Sequence, residues 1–132
     1  MSEPDVEYLS LADLLEIASR TLGDYRIREP GLLALAVARP QMSAFGGDAY
    51  PSLLDKGAAL MHSLARNHPL VDGNQRLAFL AAWTFFGLNG YALNPPSVDE
   101  GEDVVLRVAR GELEGEELSD VLRTWLVKRP VR

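Results

Sequence analysis

Nine consecutive residues, His68-Pro69-Leu70-Val71-Asp72-Gly73-Asn74-Gln75-Arg76, bring a titratable base, a carboxylate, a glycine, two amides and an arginine together just ahead of a long apolar stretch. Placed at the start of a helix, such a set can bind a phosphate and take a proton from an attacking hydroxyl. Pro69 disfavours the right-handed helical region at His68, which predicts a histidine in an extended turn outside the preceding helix. Asp72 has two readings. It is a favoured helix N-cap, and it is a hard oxygen ligand for Mg²⁺, which binds nucleotide phosphates through one or two carboxylates and retained waters. Gly73 lets the backbone approach a ligand closely. Asn74 and Gln75 add side-chain amides to helix-end N–H groups whose dipole favours an anion, and Arg76 adds a permanently charged, forked donor.

The elements that must position these residues read as helices. Ser10, with Asp13 three residues on, starts a first helix carrying Leu11, Leu14, Leu15, Ala18 and Leu22, and Gly23 stops it. A second helix starts at Pro30 and ends at Pro40. Gln41 to Pro51 has no helical period and contains Phe45, Gly46, Gly47 and Tyr50, so it reads as a loop or short hairpin. A third helix spans about Ser52 to Asn67, and a fourth about Gly73 to Asn89, closed by Gly90. The fourth is apolar on every face, as expected of a helix buried at the centre of a bundle. Ser97 caps a fifth helix that Gly111 breaks, and a last helix runs from about Glu116 to Lys128. The expected fold is all-α: a single compact domain over 1–132, core about 8–128, with about six helices around the fourth and one short flap loop or hairpin.

Bulk properties narrow the function class. A chain of 132 residues has room for one domain with an unstapled core. The net charge of −6 argues against direct nucleic-acid binding, which needs a basic surface. With no cysteine there are neither disulfides nor thiolate metal sites. The N-terminal residues lack a signal-peptide pattern and no window reads as a membrane span, so a cytoplasmic protein is expected.

The nine-residue stretch closely resembles the signature H-x-F-x-D-x-N-x-R of the Fic/Doc superfamily, and the chain looks most like its Doc ("death on curing") branch. Arg66-Asn67, Asn89-Gly90, Gly111-Glu112, the run from Gly31 to Gln41 and Tyr50-Pro51 extend the similarity over roughly residues 8 to 128. The resemblance implies a toxin of a Phd/Doc-type toxin–antitoxin system. Such a toxin transfers a phosphate from ATP, with Mg²⁺, to a Thr or Ser hydroxyl of a translation protein, elongation factor Tu being the expected target. On that basis His68 is the base, and Asp72 orients the site and holds Mg²⁺. Gly73, Asn74, Gln75, Arg76 and the upstream Arg66 face the nucleotide. Phe45, Gly46 and Gly47 belong to a flap on which the target docks.

Three positions depart from the family pattern. Leu70 stands for Phe, a change between large apolar anchors. Gln75 stands where Doc proteins usually carry Lys and AMP-transferring Fic enzymes usually carry Gly. Phe79 stands for the second arginine of the longer Fic pattern, which counts against AMP transfer. The alternatives are Fic-type AMP transfer to a protein hydroxyl and a catalytically impaired Fic/Doc domain kept as a binding module. The Fic self-inhibitory pattern is absent from the sequence. Restraint is therefore expected in trans from a small Phd-like antitoxin, folding as a helix into a groove between the first helix and the flap.

Overall fold

In the computed structural model, which describes residues 5–129, the helical reading holds with shifts at several ends. Helix α1 is Leu11–Leu22, capped by Ser10 in a capping box with Asp13. The Ser10 N–H donates to Asp13 Oδ2, which holds that carboxyl below the usual carboxylate pKa, and Ser10 Oγ in turn accepts from Asp13 N. Helix α2 is Pro30–Ala38, with Pro30 in its first turn. Pro40 does not stop the helical path outright: Arg39–Gln41 continues it as one 3-10 turn, in which Pro40 is buried. The next segment is a hairpin of β1 Ser43–Ala44 and β2 Gly47–Asp48. Its turn residues Phe45 and Gly46 both have positive φ (53° and 81°), the backbone of a tight two-residue hairpin.

Helix α3 is Leu53–Asn67, capped by the Ser52 side chain, and α4 is Asn74–Leu88. These two form the centre of the molecule. They cross closely because Gly57 on α3 leaves room for a ring: a Cβ there would sit 2.1 Å from Phe86 Cζ. Helix α5 is Val98–Ala109, capped by Ser97, and α6 is Gly115–Trp125.

The last helix ends earlier than its sequence suggested. Leu126–Lys128 forms strand β4, antiparallel to β3 at Tyr91–Leu93, the segment that follows α4. The physical reason is that β3 offers an edge: Leu93 pairs with Leu126 and Tyr91 with Lys128, and these ladder bonds replace further helical ones. With six α-helices and two small antiparallel strand pairs among the described residues, the fold is all-α. One hydrophobic cluster joins Leu9, α1, α3, α4, α5, α6 and Leu93.

Helix α4 is not buried on all sides. Leu77, Ala78, Ala81, Ala82, Phe85 and Phe86 are buried, but Phe79 and Leu80 are half-buried and Trp83 is 51% exposed. The exposed side faces a groove instead of another helix. No helix among the described residues is long and apolar enough to cross a membrane.

Candidate active site

The α3–α4 connection is bracketed by two left-handed residues. His68 ends α3 at φ 51°, ψ 61°, and Gly73 precedes α4 at φ 87°. The proline therefore keeps His68 out of the right-handed region as expected, but the backbone turns left-handed instead of extended. Histidine is among the residues that tolerate this conformation. Glycine is needed at 73 on two counts: the positive φ, and a Cβ that would come within 3.0 Å of Leu22.

Residues outside the signature hold this loop. Arg28 Nε donates to His68 O (2.7 Å) and Arg28 Nη2 to Asn67 O (2.9 Å), so one guanidinium takes two terminal carbonyls of α3. The backbone N–H groups of Arg28 and Glu29 both bond Pro69 O, Val71 N bonds Arg26 O, and Ile27 bridges Leu70. Asn74 closes the loop from the other end. Its Oδ1 accepts from Leu70 N (2.8 Å) and its Nδ2 donates to Leu70 O (2.9 Å), with Asn74 and Leu70 both buried. The side-chain amide, expected to face phosphate, is thus committed to the loop.

Asp72 is not the cap. The N-cap of α4 is Gly73, and no side chain caps the helix. Asp72 Oδ1 instead accepts from Gly73 N at 2.9 Å, one residue outside the helix. The first helical bond is Leu77 N to Gly73 O, so the amides of Asn74, Gln75 and Arg76 have no intrahelical acceptor. Beside this helix start lies a polar cleft of about 410 Å³ walled by Leu22, Asp24, Tyr25, Arg26, Val71, Asp72, Gly73 and Arg76. Arg76 leans back to the end of α1, its Nη1 3.4 Å from Thr21 O. The chain is acidic overall, yet this cleft has Arg26 and Arg76 in its wall and Arg28 in the strap beneath its loop.

The cleft can hold an anion on amides and guanidinium, with the exposed His68 at the far end of the same loop. For a divalent cation the described residues supply no cluster of three His, Cys, Asp or Glu side chains. That donor set fits Mg²⁺ brought with phosphate, which needs one carboxylate, phosphate oxygens and water, and Asp72 is an exposed carboxylate with one oxygen engaged by Gly73.

The other expected site residues are distributed differently. Gln75 is exposed and lines, together with Arg76, a second and larger cavity of about 680 Å³. This groove runs between α4 and α5 over Phe79, Leu80, Trp83, Val98 and Val105. Arg66 stands apart from the polar cleft: its guanidinium packs on Gly111 in the α5–α6 turn, where an added Cβ would meet it at 3.2 Å. Phe45, Gly46 and Gly47 form the exposed tip of the hairpin and line neither cavity. Sequence reasoning missed Arg26 and Arg28. Their signal was weak: alternating charged and apolar residues in Arg26-Ile27-Arg28, which forms an extended strap against the loop.

Two comparisons with known proteins give the family. A family model described as Fic/DOC family matches residues 8–86, which span α1 through most of α4. A curated protein of Mycolicibacterium smegmatis, named Toxin Doc, is 52% identical over 105 residues, covering 78% of this chain and 81% of that protein.

Proposed function

The chain belongs to the Fic/Doc family, and from that membership we propose that it is the toxin of a Phd/Doc-type toxin–antitoxin system, acting as a phosphotransferase. The relative named Toxin Doc supports the toxin reading. The observation that carries the chemistry is the start of α4. Three amides there have no helical acceptor, and the helix start adjoins a polar cleft walled by Asp72, Gly73 and Arg76, on the loop that carries His68.

In this reading the γ-phosphate of ATP lies on the Asn74, Gln75 and Arg76 amides. His68 takes the proton of a Thr or Ser hydroxyl of the target, elongation factor Tu. The hydroxyl oxygen forms a bond to the γ-phosphorus as the bond to the β–γ bridging oxygen breaks, and ADP leaves. The Asp72 carboxylate is the residue that would hold Mg²⁺, whose charge offsets that of the phosphate oxygens. Arg76, aimed by Thr21 O, stabilises the charge on the moving phosphoryl group.

AMP transfer is the rival within the family. The side chain against it is Phe79, which gives an apolar wall where the longer Fic pattern has an arginine. Intact-mass analysis of elongation factor Tu after incubation with the chain, ATP and Mg²⁺ separates the outcomes. Gain of a phosphate is expected; gain of an AMP reverses the assignment, and no gain removes both.

The α4–α5 groove supports an antitoxin in trans better than the surface between α1 and the hairpin. It is mainly apolar, carries the exposed Trp83 and Val98, and shares Arg76 with the polar cleft. An amphipathic antitoxin helix with apolar residues at i, i+3, i+4 and i+7 would cover it and crowd the nucleotide. Trp83→Glu should leave toxicity intact while abolishing rescue by the co-expressed antitoxin. Full rescue of that variant places the antitoxin elsewhere.

A further inference from the structure

The hairpin that follows the 3-10 turn has little to hold it. Residues 41–49 are all exposed, its ladder is two residues long, and Phe45 at the tip is wholly in solvent. A two-stranded hairpin this short is not stable by itself in water. Its orientation must come from the contacts at its two ends, and both of those lead to a cation.

Lys56, one turn into α3, is 2% exposed, an unusual state for a lysine. Its Nζ donates to Pro40 O at 3.3 Å, just before the hairpin, and to Asp48 Oδ2 at 3.3 Å, at the end of β2. The Tyr8 ring covers it at 5.7 Å. Lys56 thus ties the entry and the exit of the hairpin to one point on the core helix. Arg39 makes the second tie. Its Nε donates to Tyr50 OH (2.8 Å), and its Nη1 to Ser63 Oγ and His62 Nδ1 (both 3.0 Å) on α3. Because arginine only donates, His62 Nδ1 is the acceptor there, which leaves Nε2–H to donate to Glu114 Oε2 at 3.1 Å. The Arg39 tie is therefore braced by the start of α6.

We infer that Lys56 and Arg39 are positioning residues: they set the angle at which the hairpin presents Phe45 to the acceptor protein, and so govern the affinity for that protein while leaving the chemistry alone. This rests on the hairpin being the docking flap of the proposed transferase. An entirely apolar core would bury α3 equally well at position 56. A buried ammonium is instead specific to carbonyl and carboxylate partners at both hairpin ends, and its desolvation is offset only while they stay in place.

The test removes the hairpin-side partners, Asp48 and Tyr50, and leaves both cations in place, so that the fold survives. In Asp48→Ala combined with Tyr50→Phe, amide hydrogen exchange at residues 42–50 should quicken to that of a free loop. In transfer assays with elongation factor Tu, the KM for the acceptor should rise by about tenfold while kcat and the ATP affinity stay at parental values, the scale expected for losing charged hydrogen bonds. Unchanged exchange across 42–50 overturns the anchor. Faster exchange with an unaltered acceptor KM overturns the docking role of the hairpin. A fall in kcat and melting temperature without a KM change marks the two cations as structural only. If the parental chain modifies no acceptor, the proposed activity has failed, and the exchange result still decides the anchor.

Discussion

Replacing Asn74 by alanine separates two readings of the signature asparagine. If its amide is a phosphate ligand, the loss falls on nucleotide binding. The hydrogen bonds say otherwise: both polar ends of the side chain are spent on Leu70 N and Leu70 O, and Leu70 is only 1% exposed. Asn74→Ala would leave a buried N–H and a buried C=O without partners, at about 1–3 kcal/mol each. A loss of about 3 kcal/mol is a large share of the roughly 5–15 kcal/mol that stabilises a domain. For a chain of this length it corresponds to a drop of about 10 °C in melting temperature. Exchange at Leu70 and Val71 should accelerate first, and ATP affinity should fall as a consequence because the loop no longer fixes the start of α4. Thermal melting and calorimetric ATP titration provide the check, with Gln75→Ala as an exposed neighbour expected to stay within about 0.5 kcal/mol of the parent. An Asn74→Ala protein that melts within about 2 °C of the parent yet fails to bind ATP would refute the loop-brace argument.

His68→Asn keeps a residue suited to the left-handed backbone at φ 51° and should fold normally, while transfer falls by about 10²–10⁴-fold; parental activity in single-turnover assays removes His68 as the base. Gln75→Lys adds a cation to an exposed first-turn position of α4 and should tighten ATP binding or speed transfer by up to about tenfold, read from initial rates; a slower enzyme means that Gln75 makes a contact that lysine cannot replace. Gly57→Ala forces a methyl to 2.1 Å from the Phe86 ring and should destabilise the α3–α4 crossing by about 1–3 kcal/mol, read from denaturant midpoints.

The parts of this protein legible in its sequence are those where local chemistry decides the outcome. Ser10, Ser52 and Ser97 each accept from the residue three ahead, as caps do, and the apolar spacing of α1, α3 and α6 gives their buried faces. What was illegible depends on partners distant in the chain. Strand β4 exists because β3, more than thirty residues earlier, presents an open edge. The exposed face of α4 looks like core in composition, since Phe79 and Trp83 become groove walls only through the placement of α5. Within the candidate site, residue types identified the start of α4. They could not reveal that Asn74 faces inward, that Gly73 takes the cap position from Asp72, or that Arg66 packs on Gly111.

The two ends of the proposed reaction are held by different means, and this difference has a functional consequence. The phosphate end is over-determined. Left-handed residues fix both ends of the loop, Arg28 takes the α3 carbonyls, Asn74 takes both polar groups of Leu70, and Thr21 aims Arg76. Preorganised donors of this kind stabilise developing charge without rearranging during reaction. The acceptor end has no such redundancy: an exposed hairpin hangs from the buried Lys56 and the half-buried Arg39 and packs almost nothing. Substitutions in the hairpin can therefore alter which protein is recognised at little cost in stability, while substitutions in the loop disturb fold and catalysis together. In the proposed reaction, that asymmetry would let one rigid frame serve different acceptors, with the determinants of target choice in residues 41–50 instead of in the signature.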